Sequence, residues 1–154
     1  MSEHKATVEW AKPSPEFLKG RYSREHSWSF DGGETVLASA SPTVVPVPLS
    51  NPAGVDPEEG FIAALSSCHM LTFLDLARRK GFAIEHYRDE AIGHMAKNAE
   101  GVMWVSEVLL NPQITYTGEK RPTPAEEAEL HHAAHKLCFI ANSVKSDVKV
   151  ASAL

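Results

Sequence analysis

Between Asp56 and Gly81 the sequence leaves room for little but one long helix. Asp56 suits an N-cap, Pro57 fits the first helical position, and Glu59 stands three residues after Asp56 in capping-box spacing. Phe61, Ile62, Leu65, Cys68, Leu71, Thr72 and Leu76 then recur at helical intervals. Arg78, Arg79 and Lys80 suit a helix C-terminus, and Gly81 ends the run. Apart from its last turn the segment is apolar almost throughout, which predicts a central, buried helix. The stretch before it, Pro42 to Pro57, holds five prolines and one glycine. Proline lacks the backbone donor that helices and central strands need, so a long, rigid loop is expected there.

The remainder reads mainly as strands. Residues 6–10 alternate in polarity, whereas residues 12–19 carry two prolines and read as a loop. Residues 21–30 and 35–41 flank Asp31-Gly32-Gly33-Glu34, a hairpin turn. Residues 83–97 and 102–117, joined by Asn98-Ala99-Glu100-Gly101, suggest one long antiparallel hairpin. Thr123-Pro124-Ala125-Glu126 repeats the capping-box spacing and opens a second helix running to about Leu137. A short strand over 145–151 follows. The expectation is a single α+β domain over residues 1–154, with mainly antiparallel sheets and two principal helices.

With 154 residues, 43% apolar and 23% charged, the chain can bury a real core. No apolar stretch is read as reaching the roughly 20 residues of a membrane-spanning helix, so no membrane partner is expected. The N-terminus, Met1-Ser2-Glu3-His4-Lys5, lacks the apolar core of a secretory signal; the cytoplasm is the expected location. The net charge of −5 and the lack of a basic stripe argue against nucleic acid as a partner.

Only two cysteines are present, Cys68 and Cys138, one on each predicted helix. In a reducing compartment a purely structural disulfide is disfavoured. An isolated cysteine is most often an inert core residue, so context must argue for chemistry. Two apolar-faced helices of a small α+β domain pack on each other or on one sheet, which lets the thiols approach. A thiol nucleophile acts as thiolate and needs a neighbouring cation. Arginine suits that role because it stays charged when buried and its fork can hold a carboxylate. Glu58, ten residues before Cys68, lies about three turns up the helix and can reach such an arginine. Arg21 and Arg24 are the candidates.

The run Asp56-Pro57-Glu58-Glu59-Gly60-Phe61-Ile62-Ala63-Ala64-Leu65-Ser66-Ser67-Cys68-His69 resembles the signature of the OsmC/Ohr family, osmotically inducible and organic hydroperoxide resistance proteins. Cys138-Phe139-Ile140-Ala141-Asn142-Ser143, between a helix and a final strand, is a second match. The resemblance covers nearly the whole chain. It implies a thiol-dependent peroxidase that reduces organic hydroperoxides to alcohols, with Cys68 as the peroxidatic cysteine and Cys138 as the resolving one. It also implies that Glu58 pairs with a catalytic arginine, assigned here to Arg24 with Arg21 second. An external dithiol, in this family often a lipoyl-bearing protein, would be the reductant. The assembly implied is an intertwined homodimer with sites between subunits. No cofactor or metal is implied. Two departures bear on substrate preference. Phe139 stands where many relatives have proline, and His69 after Cys68 resembles the broader OsmC-like branch.

A competing reading is metal binding. His131, His135 and Cys138 recur at i, i+4 and i+7, with His69 as a possible fourth ligand, and zinc accepts such residues. With eight histidines in the chain, chance spacing is easy, and His131, His132 and His135 read instead as a polar helix face. A third reading is a ligand-binding stress protein that keeps the fold without peroxidase turnover.

Overall fold

The structure, a computed structural model, describes residues 1–153. Its elements run strand, strand, strand, helix, four strands, helix, strand, and they group into two units, Met1–Gly60 and the remainder from Phe61 onward.

In the first unit β1 (Ala6–Glu9), β2 (His26–Phe30) and β3 (Thr35–Ala38) form an antiparallel sheet in that order. The Gly32-Gly33 turn joins β2 to β3, and Gly33 takes a φ of 95°, which favours glycine. Residues 21–25, read as strand, lie outside it: β2 begins only at His26. Their backbone is engaged elsewhere, with the Arg24 N–H donating to the Leu49 carbonyl at 2.8 Å and the Trp10 indole donating to the Ser23 carbonyl at 2.7 Å. The proline-rich loop contributes one isolated bridge, Ala38 to Val55.

Helix α1 (Pro57–Arg79) starts as its sequence requires. The Glu59 N–H donates to Asp56 Oδ1 at 2.8 Å, and the Asp56 N–H donates to Glu59 Oε2 at 3.0 Å. Burial is confined to one stripe, Leu65, His69, Phe73 and Ala77, spaced four residues apart. That stripe is narrower than the all-round apolar character of the helix implies: Leu71 is 62% exposed. By length and composition alone α1 is apolar enough to cross a membrane, which corrects the expectation that no such stretch exists. Its buried stripe instead packs into protein core.

The long hairpin forms, but it is broken in the middle of both arms. Its near half pairs β5 (Ile92–Lys97) with β6 (Met103–Leu110), and its far half pairs β4 (Ala83–Asp89) with β7 (Pro112–Thr117), in separate sheets. The break falls at Glu90-Ala91 on one arm and Asn111 on the other, directly before Pro112, which has no N–H to extend a ladder. Helix α2 (Pro124–Leu137) opens on a full capping box between Thr123 and Glu126. The last strand, β8 (Asp147–Val150), is shorter than expected and lies parallel to β6.

Two clusters form the core of the second unit. One gathers Phe73, Ala77, Phe82, Leu130 and Ala134, and the other Leu65, Val108, Leu110 and Val150. Burying each large apolar side chain contributes about 1.5–3 kcal/mol. Helix α1 supplies both clusters, so the segment around Cys68 sits on a fixed support.

Candidate active site

Cys68 projects from the middle of α1 and is half-buried, whereas Cys138 is the C-cap residue of α2 and is fully buried. The Cys138 N–H closes the helix on the Ala134 carbonyl at 2.8 Å, and its extended φ and ψ then turn the chain away. The backbone N–H of Ala141 donates to Cys138 Sγ at 3.4 Å. Asn142 clasps the same turn, its side-chain amide donating to the Lys136 and Cys138 carbonyls at 3.0 and 2.9 Å.

The two thiols, seventy positions apart in sequence, lie close enough for Cys68 to act on the ionisation of Cys138, and both are free. Burial pushes the Cys138 thiol up to about 11, and the neighbouring Cys68 thiol adds to the rise. The pair is asymmetric. Cys138 holds its proton in the interior, while Cys68 is open in part to solvent.

Arg24 and Glu58 belong to the first unit. The Arg24 guanidinium donates through Nη1 to the carbonyls of Gly20 and Tyr22 at 2.9 and 2.6 Å, and its carbon lies 3.7 Å from the Tyr22 ring centroid. This is a cation held by backbone dipoles and an aromatic face. Arg21 instead pairs with Glu16 at 3.1 Å on the surface. Among the described residues no ion pair joins Arg24 or Arg21 to Glu58.

The histidines depart from their sequence reading. His131 is no part of a polar face: it is completely buried, as is His69. His69 Nε2 and His131 Nδ1 share a hydrogen bond of 3.0 Å, and the His131 ring stacks on Phe73 with centroids 4.3 Å apart. Burial pushes both imidazoles down to about 4, so both are neutral near pH 7. The signal that could have found them is the α1 stripe, in which His69 occupies the place between Leu65 and Phe73. Among the described residues no three His, Cys, Asp or Glu side chains are grouped to hold a metal ion.

The model of the OsmC-like protein family matches residues 50–153, a span containing both cysteines, His69, His131 and Glu58. An OsmC-like protein of unknown function from Vibrio cholerae is 52% identical over 97% of this chain and 98% of its own, with a TM-score of 0.94. The chain belongs to the OsmC-like family. The OsmC-like fold extends to more distant structures. The organic hydroperoxide resistance protein of Elizabethkingia anophelis is 18% identical over 97% of this chain and 93% of its own, with a TM-score of 0.70. The protein OhrB of Bacillus subtilis is 18% identical over 97% and 96%, with a TM-score of 0.67. No curated protein sequence matches this OsmC-like chain.

Proposed function

We propose that this chain is a thiol-dependent hydroperoxide reductase working as one OsmC-like domain in the cytoplasm. The observation that carries the reading is the adjacency of Cys68 and Cys138, one half-exposed and one buried with its proton retained. Family membership and the organic hydroperoxide resistance proteins among its structural neighbours point the same way.

In the first step the Cys68 thiolate attacks the peroxide oxygen distal to the alkyl group. The O–O bond breaks, the alkoxide takes a proton and leaves as alcohol, and Cys68 becomes a sulfenic acid. The Cys138 thiol then attacks that sulfur. The S–O bond breaks, water leaves, and the Cys68–Cys138 disulfide forms before further oxidation of Cys68 can occur. An external dithiol, such as a lipoyl group, returns both sulfurs to thiols and is itself oxidised to a disulfide. Arg24 is the cation assigned to Cys68, with Glu58 as its carboxylate. No ion pair joins these two within one chain, and a homodimer that carries Arg24 to Glu58 of a second copy would supply it.

The test is consumption of cumene and tert-butyl hydroperoxide with dihydrolipoamide as reductant. Wild type turns over. Cys68→Ser does not. Cys138→Ser consumes one equivalent and stops. A wild type no faster than dihydrolipoamide alone, or a Cys68→Ser variant as fast as wild type, overturns the reading.

A further inference from the structure

The His69–His131 bond lies beside the two cysteines and has no part in the chemistry above. His69 follows Cys68 on α1. His131 precedes Cys138 by seven residues on α2, which returns to the same helix face two turns later, about 10 Å along the axis. The same two helices therefore meet at two points, one through sulfur and one through imidazole. On α1 these points lie about 100° apart around the axis. A single contact leaves two helices free to roll and slide. A second, offset along one helix and around the other, restrains both motions.

Among the described residues the bond is also each ring's only hydrogen bond. His69 Nδ1 and His131 Nε2 are buried without a partner, and the rings lie within 11° of parallel with centroids 5.3 Å apart. Because both are neutral, one nitrogen of the pair donates and the other accepts. Breaking the bond would leave two more buried polar atoms unpaired, which is the costly outcome for a buried polar pair. Phe73, four residues after His69 on the same stripe, stacks on His131 and limits its rotation. Asp89 on β4 and His132 and His135 on α2 are the other ionisable groups acting on the pair.

We propose that His69 and His131 are positioning residues for the Cys68–Cys138 step: their hydrogen bond ties the two cysteine-bearing helices and sets how often the sulfurs meet. This rests on the two-cysteine reading but not on peroxide being the oxidant. The test is equilibration of the protein with mixtures of reduced and oxidised dithiothreitol, followed by acid quench and mass spectrometry of the Cys68–Cys138 disulfide. Circular dichroism checks that each variant is folded. His131→Leu should lower the equilibrium constant for disulfide closure at least tenfold. His131→Asn, whose amide lies where Nδ1 lay, should stay within threefold of wild type, as should His69→Gln, whose amide lies where Nε2 lay. Where His131→Leu does not fold, His131→Gln, whose amide is displaced from the Nδ1 position, takes its place with the same expected loss. Equal closure in the folded bond-breaking variant and wild type overturns the proposal. So does a loss in His131→Asn as large as that in the bond-breaking variant. Histidine-dependent closure in a protein that does not reduce cumene hydroperoxide supports the tie and sinks the peroxidase reading. Peroxide reduction with histidine-independent closure does the reverse.

Discussion

The carboxylate of Asp89, at the end of β4, accepts the hydroxyl proton of Ser66 on α1. Its other oxygen accepts the backbone N–H of Asn111 at 2.6 Å. One side chain thus fastens the central helix to the point where the long hairpin breaks, two residues before Cys68. Asp89→Ala leaves a part-buried hydroxyl and a turn N–H without their acceptor, so a loss of about 2–3 kcal/mol is expected. Asp89→Asn keeps one acceptor and should lose less. Urea melts of the three proteins check the order.

Arg24 and Arg21 separate by their surroundings. Arg24 is held on backbone carbonyls and the Tyr22 ring, while Arg21 makes an exposed pair with Glu16. Arg24→Ala should lower kcat/KM for cumene hydroperoxide about a hundredfold, which is about 3 kcal/mol of transition-state stabilisation, and Glu58→Gln should follow it in direction. Arg21→Ala should stay near wild type, because exposed pairs contribute about 1 kcal/mol or less to stability. Full activity in Arg24→Ala with loss in Arg21→Ala moves the role to Arg21.

The buried imidazoles give stability a defined dependence on pH. Free histidine titrates near 6.5, and in the fold both rings are pushed down to about 4 by burial. Between those values the unfolded chain binds protons that the folded chain does not. Their contribution is therefore intact above pH 6.5 and is lost as pH falls towards 4, on the order of 3 kcal/mol for one ring. Asp89 pulls against this shift for His69, and His135 works with it. Denaturant midpoints at pH 7, 5.5 and 4.5 should fall in wild type and fall less in a folded His69→Gln/His131→Asn variant. Parallel curves would rule out the pair as the source.

Gly60 touches Trp28. A β-carbon built there would lie 2.6 Å from the indole edge, and that ring is held by its N–H donating to His26 Nε2 at 3.1 Å. Alanine gains up to about 1 kcal/mol in helix propensity over glycine. Overpacking against a rigid ring costs about 1–3 kcal/mol. Gly60→Ala should lower stability by about 1 kcal/mol net and shift tryptophan fluorescence. A more stable Gly60→Ala protein would show that the indole moves freely.

Local chemistry made much of this legible in advance. The boxes at Asp56–Glu59 and Thr123–Glu126 are both present because each needs only four adjacent residues. The cysteine-bearing helices were legible from periodicity, and so was the possibility that their thiols approach. What escaped depends on partners distant in sequence. Residues 21–25 read as strand because they lead into the Gly32-Gly33 turn, but Leu49 and Trp10 take up their backbone groups. His131 and His135 look polar at i and i+4, yet His131 faces Phe73 on another helix. The hairpin break carried a local warning in Pro112 that the run of strand-forming residues around it obscured.

Only eight residues separate Cys138 from Asp147, where β8 begins. One end of that span is stapled to α2 by the Asn142 amide, and the other is pinned along β6, with Lys149 paired to Glu107. So short a leash gives the interior sulfur nowhere to go. In the proposed cycle, oxidation and reduction at Cys138 would for that reason be bond exchange in place, without a swinging arm. A reductant of the proposed disulfide would have to approach the half-open sulfur on α1, because the buried one is held in place.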